Sequence, residues 1–110
     1  MTKEELRQYR SIKLEISQIE RRIVELERGG CDNDVTQPLR DLYREKLKTL
    51  VEEQMKIEQA IASLPPTERE LMRLRYIDGA DWLEVAASIH YEWTQTHRIH
   101  ARALRLMNNL

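Results

Sequence analysis

Three arginines and two histidines fall within YEWTQTHRIHARALRL, Tyr91–Leu106, where no aspartate or glutamate follows Glu92. Arg98, Arg102 and Arg105 offer permanently charged donors that pair with phosphate oxygens or grip the edge of a guanine. His97 and His100 stand three apart, a spacing two metal ligands on a helix could use. No third or fourth Cys, His or carboxylate accompanies them in a plausible pattern, so local hydrogen bonding is the better expectation for His100. There is no Gly-rich phosphate loop, no nucleophile with an attendant base and no isolated carboxylate pair in an apolar setting, so an enzyme is not expected. No cofactor is implied. The chemistry left standing is recognition of an anionic partner.

Charge distribution sharpens that reading. The 110 residues carry a formal net charge of −1, so no partner follows from the total. Acids and bases nearly cancel from Met1 to Ala62. Between Ser63 and Glu92 six acids face three arginines, and from Trp93 onward three arginines face no acid. Charged residues at 34 %, no Phe and three Gly point to a protein of long helices. Cys31 is the only cysteine, which excludes an intrachain disulfide and makes a reducing cytoplasm the expected location. No apolar run reaches about 18 residues and no secretory leader is evident, so no membrane is expected.

The elements that must position the cationic stretch follow from periodicity. Tyr9, Ile12, Ile16, Ile19, Ile23 and Leu26 recur at alternating steps of three and four, a heptad seam that Leu6 extends. Thr2 with Glu4 and Glu5 suits a helix start, and Gly29-Gly30 suits its end. Cys31–Thr36 reads as a polar loop, with Pro38 in the first turn of the next helix. That helix carries Tyr43, Leu47, Leu50, Ile57, Ile61 and Leu64, with Leu39, Leu42, Val51 and Met55 widening its apolar face. Two such seams predict a long antiparallel helical hairpin over residues 1–63, a surface suited to forming a homodimer.

After Pro65-Pro66 the heptad stops. Thr67–Tyr76 reads as a helix and Asp78-Gly79 as a turn. Asp81 caps a short helix from Trp82 to Ile89, with Trp82 expected in the core. His90-Tyr91 breaks it, and a last helix runs from Trp93 to Met107. In that last helix Thr96, Ile99, Ala103 and Leu106 should point inward, leaving Trp93, Thr94, His97, Arg98 and Arg102 outward or flanking. Residues 64–110 therefore form an expected helix-turn-helix domain, in which the N-terminal half of the second helix meets base edges.

The stretch LPPTERELMRLRYIDGADWLEVAASIHY followed by EWTQTHRIHARAL resembles region 4 of bacterial sigma factors, and more closely small phage transcriptional regulators of the RinA/ArpU type. Leu64, Pro65, Glu68, Arg69, Leu74, Arg75, Tyr76, Ile77, Gly79, Trp82, Glu84, Ala86, Tyr91, Arg98, His100, Arg102, Ala103 and Leu104 carry the likeness. It covers Leu64–Leu106, under half of the chain. The chain departs from the family at His90, where Gly is usual, at Glu92, where Ser is usual, at Trp93, where Arg or another polar residue is usual, and at Thr96, where Val is usual. The resemblance implies a sequence-specific, phage-encoded transcriptional regulator. Its DNA-binding residues would be Trp93, Thr94, His97 and Arg98, with Arg102 and Arg105 beside the backbone. It also implies an alternative, an adapter that binds RNA polymerase and holds DNA weakly or not at all.

Overall fold

The computed structural model describes residues 1–29 and 33–109. The regular elements among the described residues are all helical, with no strand: α1 (Lys3–Arg7), α2 (Tyr9–Arg28), α3 (Asn33–Ala62), α4 (Pro66–Met72), α5 (Trp82–Ile89) and α6 (Trp93–Asn108). A π-helical stretch, Arg73–Ile77, continues α4. No described helix is long and apolar enough to cross a membrane.

The chain divides into two compact units. One joins Met1–Arg10 to Lys56–Leu110, and the other is Ser11–Met55. The sequence alone places a boundary at 63/64, whereas the packing puts the first ten residues with the C-terminal half.

In the Ser11–Met55 unit the heptad positions Ile12, Ile16, Ile19 and Leu50 are buried, and Ile23, Leu26, Tyr43 and Leu47 are half-buried. Arg44 donates to Glu27 at 3.0 Å, and the Arg22 guanidinium lies 5.9 Å from the Tyr43 ring centre, so polar contacts tie α2 to α3. The expected wide apolar face of α3 is only partly present. Leu39, Leu42 and Met55 are 42, 63 and 50 % exposed, because only the seam positions come round to the neighbouring helix. Helix α3 also starts earlier than Pro38 predicts. Asn33–Thr36 are already helical and Pro38 lies inside the helix, where its missing N–H removes one early backbone bond. Cys31 and Asp32, expected in the loop, lie outside the described residues.

In the other unit, Thr2 caps α1 through a reciprocal box with Glu5. The Met1 amino group donates to the Met107 carbonyl at 3.1 Å, satisfying an acceptor at the C-terminal end of α6. Leu6 and Tyr9 join Ile57, Ile61, Leu64, Leu71, Met72, Val85, Ala103 and Met107 as buried residues. Helix α6 packs on α4 and α5. Pro66 opens α4, where a proline costs no hydrogen bond. After Met72 the ladder widens: Asp78 N–H reaches the Arg73 carbonyl at 2.9 Å, and Ala80 N–H reaches that of Leu74. Gly79 follows at φ +74°, a left-handed turn suited to glycine.

Candidate nucleic-acid interface

Two short-range signals place α6. Asp81 caps α5, its carboxylate accepting the Glu84 N–H at 2.8 Å. That hydrogen bond holds the Asp81 carboxyl below the usual carboxylate range. At the far end His90 adopts φ 62°, ψ 37°, and Tyr91 N–H returns to the Ala86 carbonyl at 3.2 Å. The left-handed residue ends α5 and turns the chain, so a histidine takes the conformation for which glycine is cheaper. Glu92 then leads into α6 with no side-chain cap. Its carbonyl instead accepts both the Thr96 N–H and the Thr96 hydroxyl, each at 2.8 Å. That bond satisfies a hydroxyl in a fully buried side chain, which is how a threonine stands on the inward face.

The inward stripe of α6 is Thr96, Ile99, His100, Ala103 and Met107. Leu106, expected inward, is 39 % exposed and Met107 is fully buried. A 3.6-residue period carries the stripe from Ala103 to the fourth residue on, so Met107 stays over the core and Leu106 turns away.

His97 and His100 are placed by aromatic neighbours. Trp93 meets His97 with ring centres 4.6 Å apart, His97 meets Trp82 at 4.7 Å, and Trp82 meets His100 at 4.6 Å. The Tyr76 hydroxyl and His100 Nε2 share a buried hydrogen bond of 2.7 Å. Burial pushes His100 down to about 4, with the neighbouring basic groups, Lys3 first among them, adding to the effect. Trp82, expected in the core, is only half-buried. It stands at the first turn of α5, with the histidines against it and the Arg75 guanidinium 4.6 Å from its ring centre. Among the described residues no three His, Cys, Asp or Glu side chains gather as metal ligands would.

The six residues singled out from the sequence divide by environment. Trp93, Thr94 and Arg98 are exposed and His97 is half-buried, and these four line one shallow depression with Ala101. Arg98 makes no hydrogen bond or ion pair among the described residues. Arg105 is exposed in the last turn, where a cation complements the helix dipole. Arg102 differs, because its Nη1 donates to Glu68 at 3.2 Å, and that carboxylate is 5 % exposed. The sequence leaves open that Arg102 pairs with an acid of a preceding helix; it does not single out Glu68, 34 positions away, because no local pattern links the two. Arg102→Ala is expected to destabilise the protein by about 1.5 kcal/mol, since the buried carboxylate loses its donor. Chemical denaturation should show the loss and show most of it regained in Arg102→Ala/Glu68→Gln.

The arrangement presents donors that have few or no partners among the described residues on the outer side of an acid-free helix, with its inner side fixed by a buried stripe. The chain matches no protein-family model, and comparison with curated proteins and with solved structures finds no match.

Proposed function

We propose that the protein is a sequence-specific duplex DNA-binding transcriptional regulator, phage-encoded, acting in the cytoplasm of a bacterial host. In this reading α5 and α6 are a helix-turn-helix of the sigma-region-4 type. Helix α6 enters the major groove, with Thr94, His97 and Arg98 facing base edges, Trp93 beside a thymine methyl or sugar, and Arg105 near phosphate. Arg102 reaches the backbone only in part, since one donor is committed to Glu68. The reading involves no catalysis and no cofactor.

The single observation that supports it most is the state of Arg98. It is exposed and without a hydrogen-bond or ion-pair partner among the described residues, on a helix free of acids, next to Thr94 and His97. Arg98→Ala should weaken binding to the cognate duplex roughly tenfold. Electrophoretic mobility shift against a random duplex pool supplies the site and then the affinities. Unchanged affinity for the selected site removes the base-reading role.

A lone helix neutralises few phosphates, so binding at physiological salt needs reinforcement. Residues 1–63, read as an antiparallel hairpin, supply it by forming a homodimer. Leu14, Val24, Leu39, Leu42 and Met55 are exposed apolar residues that support such a contact. The adapter reading draws on α5 instead. Leu83 there is 71 % exposed, Tyr91 just beyond it is 45 % exposed, and the segment ending at Glu92 is acidic, which fits a protein partner such as RNA polymerase. Retention by polymerase without DNA, together with no mobility shift, decides for the adapter.

A further inference from the structure

A cleft in the unit formed by Met1–Arg10 and Lys56–Leu110 has no part in the reading of α6. Its volume is about 270 Å³, and its polar lining is cationic: Lys3, Arg7, Arg10 and Arg75, with no acidic residue among the lining groups. Four cations around one cavity are unexpected in a chain of net charge −1. Lys3 and Arg10 have no hydrogen bond or ion pair among the described residues. Among the described residues Arg7 pairs with Glu4 alone, and that pair is exposed on both sides and therefore weak. Arg75 is fixed, with Nη1 donating to the Ala80 carbonyl at 3.0 Å and its guanidinium stacked on Trp82.

Gly79 forms one wall. The Arg10 guanidinium lies so close to its Cα that a Cβ there would collide with Nη1 and Cζ. The glycine thus lets the arginine approach the turn, beyond supplying its left-handed angle. Burial is the main cause of the lowered His100 pKa, and Lys3, Arg75 and Arg7 add to it, as cations gathered beside the cavity would.

We propose that this cleft, lined by Lys3, Arg7, Arg10, Arg75, Tyr76 and Trp82, binds the phosphoryl group of a small phosphorylated ligand. Like charges brought together on folding repel, and a dianion among them relieves that repulsion. Guanidinium groups suit phosphate oxygens, which they meet with paired donors. Tyr76 contributes apolar wall only, because its hydroxyl is engaged with His100. The concave shape favours a small ligand over a duplex. Backbone phosphates lie on a convex rod and are met by protruding side chains, whereas this cavity has room for a phosphate and a small organic group.

Inorganic pyrophosphate is the probe. It is titrated into the full chain by calorimetry at ionic strength held constant with sodium chloride. The comparison is with Lys3→Gln/Arg10→Gln, both exposed positions whose change leaves the core intact, and with Lys13→Gln as a charge control. Saturable binding by the wild type, at least tenfold weaker in the double variant and unchanged in the control, is the expected result. Absence of saturable binding, or equal affinity in the double variant, overturns the proposal. So does a loss of duplex affinity in the double variant when the wild type ignores pyrophosphate, which would assign these cations to a nucleic-acid backbone.

Discussion

Leu6→Ala is expected to lower the unfolding free energy by about 3 kcal/mol, the usual loss when a fully buried leucine is truncated. Leu6 is 0 % exposed although it sits in a five-residue helix next to the chain's start. Its surroundings belong to the unit containing α4 to α6. The urea midpoint should therefore fall, and amide exchange along α6 should accelerate with it. Ile19→Ala, in the Ser11–Met55 unit, should not speed exchange in α6 to the same extent. A change below 1 kcal/mol for Leu6→Ala would mean that α1 is an appendage and not part of that core.

The second large effect is a dependence on acid. Folded His100 takes up a proton only near pH 4, whereas an unfolded histidine does so near 6.5. Between those values the unfolded chain binds more protons, so stability present above pH 6.5 is lost as the pH falls towards 4 and changes no further from this group below it. The loss should be about 2 kcal/mol, less than the full shift converts to, because Lys3 and Arg7 are exposed and screened by solvent. His100→Gln keeps a hydrogen-bonding partner for Tyr76 and cannot titrate. Carboxylates contribute equally to both proteins, so the difference in urea midpoint between wild type and variant, followed from pH 7 to 4, isolates the histidine. Parallel curves would show that the ring is not held neutral.

Much of the chain was legible wherever the determining interactions are local. The bounds of α5, its Asp81 cap and the break at His90 follow from residues within one turn of each other. The start of α6 does too, and its end differs from the expectation by one residue. Heptad positions of α2 are buried over its first half as the period requires. What could not be read depends on distance or on backbone geometry without a residue signature. The π-helical widening at Arg73–Ile77 contains no glycine or proline to announce it. Leu6 continues the seam of Tyr9 and Ile12 without interruption, so periodicity could not tell that packing separates it from Ile12. In the interface, the exposure of Trp93, Thr94 and Arg98 followed from the phase of α6. The commitment of Arg102 to Glu68 and of His100 to Tyr76 did not, since both are long-range pairings of polar groups.

The ring sequence Trp93, His97, Trp82 has a practical consequence. These are the chain's two tryptophans, and both lie against the same imidazole at the start of α6. Tryptophan emission, excited selectively over that of the four tyrosines, therefore comes entirely from this spot, one emitter exposed and the other half-buried. Anything laid on the first turn of α6 alters the polarity around Trp93 and, through His97, the environment of Trp82. The protein carries its own label-free optical probe, placed where occupancy is the question.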